Sequence, residues 1–365
     1  MGFKCGIVGL PNTGKSTVFN ALTQTVAAQS ANYAFSTVEP NVGDVAVPDA
    51  RLEKLAAIAH SGRIVPTRIG FVDIAGLVRG SSKGEGLGNK FLGAIRETDA
   101  IVHVLRCFED EDVTHVEGRI DPVSDAETVE TELMLADLES LERRMAAAEK
   151  KAKTGDKEAK AQLVLMQKAA DLLNEGRPAR EAVLTPEERE PYRQLFLLTQ
   201  KPILYVCNVD EASAATGNEA SARAAAMAKA KGASAFVLCA RIEEELAQLA
   251  PAERDEYLAS LGLAEPGLNK MIRAGYELLG LITFFTAGPM EARAWTVVKG
   301  TRAPQAARVI HSDLEKGFIR AETIAYDDYI AGNGEAGARE AGKFRLEGKE
   351  YVVKDGDVLH IRFNV

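Results

Sequence analysis

The strongest chemical signal in the chain is Gly9-Leu-Pro-Asn-Thr-Gly-Lys15-Ser16, which has the spacing G-x-x-x-x-G-K-S. A short apolar run of strand type precedes it, and the residues that follow suit the start of a helix. A strand, a glycine-rich loop and a helix in this order form a phosphate-binding loop, with backbone N–H groups and the positive helix end facing the phosphates. Lys15 would reach the β- and γ-phosphates, and Ser16 would hold Mg²⁺. The predicted nucleotide-binding residues of the loop are Asn12, Thr13, Gly14, Lys15, Ser16 and Thr17.

Two segments further along the chain carry residues that would sense the γ-phosphate. Asp73-Ile-Ala-Gly76 ends an apolar run, and at this distance from a phosphate-binding loop D-x-x-G is typical of a nucleotide switch. Asp73 would hold Mg²⁺ through water, and the Gly76 amide would bind the γ-phosphate. Thr37 lies in a polar loop where nucleotide switches place a Thr that completes the Mg²⁺ shell. We therefore expect Mg²⁺ as the cofactor, held by Ser16, Thr37 and Asp73.

The group that would orient the attacking water is less evident. Leu77 follows the D-x-x-G, where Ras-like enzymes carry a Gln, and leucine cannot hold a water. Either hydrolysis is slow, or another side chain reaches the site and orients the water. His115, in an acidic loop after the strand that ends at Cys107, is the candidate, and a solvated loop histidine is the alternative. The predicted catalytic residues are His115, Lys15 and Gly76. Asn12 suggests K⁺ as a second cofactor, because a cation near the phosphates would supply transition-state charge.

The base-recognition segment departs from the GTPase pattern. Asn208-Val-Asp-Glu211 follows an apolar strand where GTPases carry N-K-x-D, so Val209 replaces the Lys and Glu211 the Asp. Asn208 can pair with adenine N6 and N7. The departure argues against strong guanine selection, although it does not by itself establish ATP binding. The predicted residues on the base side are Asn208, Val209, Glu211, Cys239 and Ala240.

Strand-like runs over 3–8, 69–73, 101–106, 203–207 and 235–239 alternate with helical patterns, which predicts an α/β, mostly parallel, doubly wound sheet. A helical segment interrupts the pattern. It begins at a capping box, Ser124-Asp-Ala-Glu127, and its apolar spacing predicts an antiparallel hairpin turning at Thr154-Gly-Asp156. The last 85 or so residues predict a small α+β domain, with strands over 282–286, 294–298, 349–354 and 358–363 and a helix over 306–316.

Composition limits the classes of partner. The 365 residues carry a net charge of −9, which excludes a global basic surface for nucleic acid. Residues 143–160, however, hold seven Lys/Arg against three acids, so the hairpin tip is a candidate contact for an RNA backbone. A solvated lysine-rich helix face is the alternative. The four cysteines form no C-x-x-C pair, and no run is long enough to span a membrane, so we expect a cytoplasmic protein with no membrane partner.

The whole chain resembles the YchF group of Obg-like P-loop ATPases. The matching stretches are GLPNTGKST (9–17), FSTVEPN (35–41), DIAGLVRGSSKGEGLGNKFL (73–92), NVDE (208–211), FFTAGPMEARAW and KDGDVLHIRFNV. The resemblance implies a Ras-like P-loop NTPase core with an inserted helical coiled-coil domain and a C-terminal TGS domain of the ubiquitin-like β-grasp type. The expected boundaries are 1–123 and 198–280 for the core, 124–197 for the insert and 281–365 for the TGS domain.

The resemblance also implies function. It leads us to expect slow, Mg²⁺-dependent hydrolysis of ATP in preference to GTP. It further implies association with the ribosome, for which we expect the large subunit, through the coiled-coil tip or the TGS domain. Two alternatives stay open: a nucleotide-gated adaptor whose hydrolysis is incidental, and a GTPase.

Overall fold

The computed structural model describes residues 2–30, 42–74, 87–110 and 119–364, with side chains described at all of these except 25–30, 87–91 and 251. Thr37, Gly76, Leu77 and His115 lie outside the described residues, so the roles expected of them stay predictions. In the part of the chain that is described, no helix has both the length and the apolar character needed to cross a bilayer.

The strands are β1 (Lys4–Val8), β2 (Val42–Ala46), β3 (Ile64–Val65), β4 (Arg68–Asp73), β5 (Ala100–Arg106), β6 (Ile203–Asn208), β7 (Ser234–Leu238), β8 (Leu281–Ala287), β9 (Ala292–Val298), β10 (Phe318–Ala325), β11 (Arg345–Glu347) and β12 (Asp357–Phe363). The helices are α1 (Lys15–Ser30), α2 (Ala50–Ala59), α3 (Leu87–Arg96), α4 (Pro122–Lys153), α5 (Lys157–Asn174), α6 (Pro186–Arg193), α7 (Glu219–Ala230), α8 (Ala240–Gln248), α9 (Pro251–Ser260), α10 (Gly267–Leu278), α11 (Ala303–Ile310), α12 (Ser312–Lys316), α13 (Tyr326–Ala331) and α14 (Glu335–Glu340).

The chain forms two compact units. One comprises Met1–Asp44 and Gly70–Met271, and the other comprises Val45–Ile69 and Ile272–Val365. The second unit includes residues 45–69, whereas the predicted boundaries placed them in the first part of the nucleotide-binding core. The difference arises because α2 buries Leu52 and Leu55 in one cluster with Phe285 of β8, and because β3 pairs with β9.

The sheet of the first unit confirms the predicted parallel topology. Its strand order is β2-β4-β1-β5-β6-β7, and β1 pairs in parallel with both β4 and β5. β5 then pairs in parallel with β6, and β6 with β7. Every residue of β5 and β6 is buried, as expected for central parallel strands covered on both faces. The carboxyl ends of β1, β4, β5 and β6 therefore meet at one edge, where nucleotides bind in such sheets.

The helical hairpin is confirmed, with a correction at its start. α4 begins at Pro122 and its N-cap residue is Asp121, three residues before Ser124, which the capping box had predicted for that position. α4 and α5 are joined at Thr154-Gly155-Asp156, where Asp156 caps α5 by accepting from the Glu158 and Ala159 amides at 3.0 and 3.1 Å. The predicted seam is present: Leu141 of α4 packs with Leu165 and Ala169 of α5 in one buried cluster.

Two buried carboxylates fix the base of the hairpin. Asp137 of α4 accepts from the Thr199 amide and hydroxyl at 2.8 and 2.7 Å. Glu130, about two turns before Asp137 on α4, accepts from the Tyr205 hydroxyl of β6 and from Lys231 Nζ at 3.0 Å. Because buried charges are costly unless they are paired, these contacts specify how α4 leaves the sheet.

The second unit has a mixed sheet of order β11-β10-β12-β8-β9-β3. β8 and β9 form an antiparallel hairpin, and β12 runs parallel to β8, in keeping with the expected β-grasp arrangement. One core cluster packs α11 against Phe284 and Leu359, while Phe285 lies in the cluster with α2.

Several elements of this unit were not predicted correctly. The strand expected over 349–354 is wrong, since the segment forms a turn and a single bridge between Arg302 and Val352. The helix expected over 306–316 is two helices, α11 and α12, that break at His311, whose backbone is extended. β10 and β11 were missed, because Arg320 and Glu322 interrupt the apolar run of β10 and β11 has only three residues.

Candidate functional site

The phosphate-binding loop joins β1 to α1 and adopts a backbone that few residue types tolerate. Asn12 has φ 63° and Gly14 has φ 90°, both in the left-handed region that asparagine and glycine adopt most readily. Gly9 has φ 153°, and a Cβ there would lie 2.5 Å from the Val104 carbonyl oxygen of β5. The glycines of the motif are therefore required by the geometry of the loop.

Lys15 points into the loop that it terminates. Its Nζ donates to the Leu10 carbonyl at 2.6 Å, and the Thr13 hydroxyl donates to the same oxygen at 3.1 Å. Burial lowers the pKa of Lys15 to about 8, against the opposing attraction of Asp73. An ammonium group so desolvated gains strongly from phosphate oxygens, for which it can exchange the carbonyl.

Asp73 ends β4 in register with Ile7 of β1, beside the phosphate-binding loop. Burial raises the pKa of its carboxyl, and the charge of Lys15 opposes that rise. The two predicted site residues therefore interact electrostatically, while Ser16 lies exposed in the first turn of α1. Among the described residues there is no group of three or more His, Cys, Asp or Glu that could hold a metal by itself.

Asn208 has two partners within the protein that the sequence did not predict. Its Nδ2 donates to the Thr13 carbonyl at 3.0 Å, and its Oδ1 accepts from the Ala240 amide at 2.9 Å. Its side chain fills the space beside Gly14, where a Cβ would collide with Nδ2. The structure thus uses this carboxamide to tie the phosphate-binding loop to the start of α8, while its pairing with adenine N6 and N7 stays a prediction.

The neighbours of Asn208 depart from the guanine-binding arrangement. Val209 is buried, and its amide donates to the Leu238 carbonyl at 2.9 Å. Glu211 begins a 3-10 turn and forms an ion pair with Arg241 at 3.5 Å. Cys239 is the N-cap residue of α8, and burial raises the pKa of its thiol, so it serves as a small apolar wall.

These residues surround a pocket of about 380 Å³. It brings together most of the predicted nucleotide contacts: Asn12, Gly14, Thr17, Asn208, Val209, Glu211, Cys239 and Ala240. Thr13 is buried behind this surface and contributes its carbonyl to Asn208. The volume and the mix of apolar and polar walls suit a small organic ligand.

One wall of the pocket was missed by the sequence reasoning. Phe108, Glu109 and Asp110 line it directly after β5. Arg106, the last residue of β5, is buried and donates to two carbonyls of this wall. The available signal in the sequence was Arg106, a charged residue at the end of an otherwise apolar strand. A buried arginine needs hydrogen-bond partners, and the residues that follow the strand supply them.

Comparison with known proteins places this site in a family. A family model described as "50S ribosome-binding GTPase" matches residues 4–136. A second, the YchF-GTPase C-terminal model, described as "Protein of unknown function (DUF933)", matches residues 281–364. The chain is 57% identical over its full length to the "Ribosome-binding ATPase YchF" of Haemophilus influenzae, all of which it covers, and 54% identical to that of Bacillus subtilis, again with complete coverage of both chains.

The chain belongs to the YchF family. A solved YchF structure from Schizosaccharomyces pombe, described as a GTPase, is 36% identical and superposes with a TM-score of 0.88 over 99% of this chain and 97% of that one. The match covers the core, the hairpin and the C-terminal unit together, which confirms the predicted fold class. The names of these YchF proteins include both ATPase and GTPase, so the residues around the base pocket bear on which nucleotide is selected.

Proposed function

We propose that the chain is a ribosome-associated P-loop ATPase that binds and slowly hydrolyses ATP with Mg²⁺, as a nucleotide-dependent switch in translation or the stress response. The observation that carries the proposal is the pairing of a phosphate-binding loop with a base pocket in which Val209 and Glu211 replace the guanine-selecting Lys and Asp. The curated YchF relatives named above are themselves named ATPases.

The phosphate end of the nucleotide would lie on the loop between β1 and α1. The backbone amides and the positive end of α1 would receive the phosphate oxygens. Lys15 would give up the Leu10 carbonyl for the β- and γ-phosphates, where its charge offsets the charge that develops as the γ-phosphoryl group transfers.

The donor set at this end fits Mg²⁺. Ser16 offers a hydroxyl oxygen and Asp73 a carboxylate oxygen, which are the hard ligands that Mg²⁺ prefers. A magnesium ion that also takes phosphate oxygens needs only one or two protein ligands, so the small protein donor set is no obstacle. When bound, the ion would supply positive charge to the phosphate oxygens. Thr37 stays a predicted third ligand.

Selection against GTP would follow from Glu211. In GTPases an aspartate accepts from guanine N1–H and N2–H₂, whereas this chain has Glu211 there, with a longer side chain that lies 3.5 Å from Arg241. Guanine would therefore lack its usual aspartate contact, and no lysine covers the base. Adenine has neither donor and loses nothing.

The ribosomal contact would lie at the hairpin tip, with the large subunit as the expected partner. Lys150, Lys151 and Lys153 lie in the last turn of α4, and Lys157 and Lys160 in the first turn of α5. All five side chains are exposed on an acidic protein, which suits salt-dependent contact with an RNA backbone. A ribosome-bound protein of this kind would work in the cytosol.

Changing Lys150, Lys151, Lys153 and Lys157 together to Glu tests this contact. Ribosome co-sedimentation at low salt should fall at least about tenfold, because roughly four phosphate contacts are lost. The matched control changes the same four residues to Arg, which keeps the charge and should keep the binding. Undiminished co-sedimentation of the Glu variant would move the contact to the C-terminal unit.

Turnover tests the proposed activity itself. We expect slow Mg²⁺-dependent hydrolysis of ATP that rises when ribosomes are added and falls when Mg²⁺ is chelated. The same basal rate with and without ribosomes would favour the adaptor, in which hydrolysis is incidental. Faster hydrolysis of GTP than of ATP would overturn the proposal.

A further inference from the structure

Arg106 is among the most completely buried side chains of the protein, with 2% of its surface exposed. An arginine keeps its charge under all ordinary conditions, so burial is costly unless the guanidinium is fully engaged. Arg106 lies at the carboxyl end of β5, next to the nucleotide pocket. Its charge is therefore in a position to affect that pocket.

The guanidinium holds the backbone of the segment that follows. Its Nε donates to the Phe108 carbonyl and its Nη2 to the Asp110 carbonyl, both at 3.2 Å. Its central carbon lies 4.7 Å from the centroid of the Phe108 ring. These contacts need a planar group with several fixed donors, so lysine, with its single ammonium, cannot reproduce them.

A second side chain anchors the same segment from the other side. Asn218, the N-cap residue of α7, donates from Nδ2 to the Cys107 carbonyl at 2.6 Å. The Cys107 amide donates in turn to the Asn208 carbonyl at 2.8 Å. Residues 107–110 are thus held by hydrogen bonds at Cys107, Phe108 and Asp110.

The anchored segment is a wall of the pocket, and Arg106 is not. Phe108, Glu109 and Asp110 line the space that also contacts Gly14 and Thr17, whereas Arg106 does not appear among the residues that line it. Among the described residues, the wall is the link between Arg106 and a ligand in the pocket. Since the phosphate-binding loop forms the other end of the pocket, the wall faces the nucleoside part of a bound nucleotide.

We propose that Arg106 is a positioning residue for the nucleoside: it holds residues 108–110 in the conformation that receives ATP. The inference rests on the proposed function, which places a nucleotide in this pocket. A wall that is ordered beforehand lowers the entropy that binding has to supply. Loss of the hydrogen bonds from the Arg106 guanidinium should therefore weaken ATP binding while leaving the phosphate-binding loop intact.

The test uses the full-length protein with Arg106→Lys, and titrates ATP and inorganic tripolyphosphate in separate experiments with Mg²⁺. We expect ATP affinity to fall about tenfold and KM to rise in parallel, with kcat within about twofold of the wild type. Tripolyphosphate affinity should not change, because it uses only the phosphate-binding loop. A merely structural role would lower both affinities together.

Arg254→Lys is the matched control. Arg254 also donates from Nε and Nη2 to two carbonyls, those of Leu249 at 2.9 Å and Ala247 at 3.5 Å, but in a segment that does not line this pocket. It should bind ATP like the wild type. If Arg254→Lys weakens ATP as much as Arg106→Lys does, the effect is general destabilisation and the proposal fails.

Asn218→Ser supplies a second test in case Arg106→Lys does not fold. Serine can still cap α7 but is too short to reach the Cys107 carbonyl, so the same wall is released from its other side. We expect the same selective loss of ATP over tripolyphosphate. Unchanged ATP affinity in this variant or in a folded Arg106→Lys overturns the proposal, whereas a wild type that binds no ATP overturns the proposed function instead.

Discussion

Removal of the Asn208 carboxamide should weaken ATP binding without removing any group that is predicted to bind the phosphates. Asn208→Ala leaves the Thr13 carbonyl and the Ala240 amide without the partners that they now have at 3.0 and 2.9 Å. A buried polar group left unsatisfied costs about 1–3 kcal/mol, so the two together amount to about 2–6 kcal/mol. If ATP binding has to supply half of this free energy, ATP affinity falls about fivefold to 150-fold.

Asn208→Asp refines the same experiment. It keeps an oxygen for the Ala240 amide but turns the donor that faces the Thr13 carbonyl into a second acceptor. We expect a loss of ATP affinity at least as large as that of Asn208→Ala, measured by calorimetric titration with Mg²⁺ and accompanied by thermal unfolding. Asn174→Ala, at the exposed end of α5, is the control. ATP affinity within twofold of the wild type in both Asn208 variants would refute the tie between the loop and α8.

Three further predictions concern Lys15, His115 and Asn12. Because burial lowers the pKa of Lys15 to about 8 and ATP favours its charged form, ATP binding should take up close to one proton at pH 9 and almost none at pH 6.5. Calorimetry in buffers of different ionisation enthalpy measures this uptake; its absence at pH 9, or its persistence in Lys15→Arg, would contradict the assignment. His115→Ala should lower kcat and leave ATP affinity near that of the wild type, since water positioning acts in the transition state, and an unchanged kcat would make His115 a solvated loop residue. Hydrolysis should be faster in K⁺ than in Na⁺, with the difference lost in Asn12→Ala; equal wild-type rates in the two salts would end the K⁺ hypothesis.

Sequence reasoning succeeded where a residue's role follows from local geometry. The phosphate-binding loop, the parallel sheet and the hairpin turn at Gly155 depend on spacing and on glycine conformation, which the chain displays directly. The same reasoning predicted the apolar seam of α4 and α5, because the 3.5-residue period of a coiled coil is visible in the spacing of the apolar residues.

It failed where the role depends on contacts between distant segments. Asn208 forms hydrogen bonds with Thr13 and Ala240, which are 195 and 32 residues away in the sequence. No local pattern encodes such contacts. Residues 45–69 join the C-terminal unit for a similar reason, since α2 finds its apolar partners on β8. Arg106 looked like the end of a strand, and only the fold shows that its guanidinium holds a pocket wall.

Paired titration of ATP and GTP into the full-length protein with Mg²⁺ measures directly whether the site selects ATP. We expect ATP to bind at least about tenfold more tightly, because Val209 and Glu211 stand where guanine would need a lysine and an aspartate. The double change Val209→Lys with Glu211→Asp should narrow the difference by raising GTP affinity. Equal or tighter binding of GTP by the wild-type protein would contradict the account.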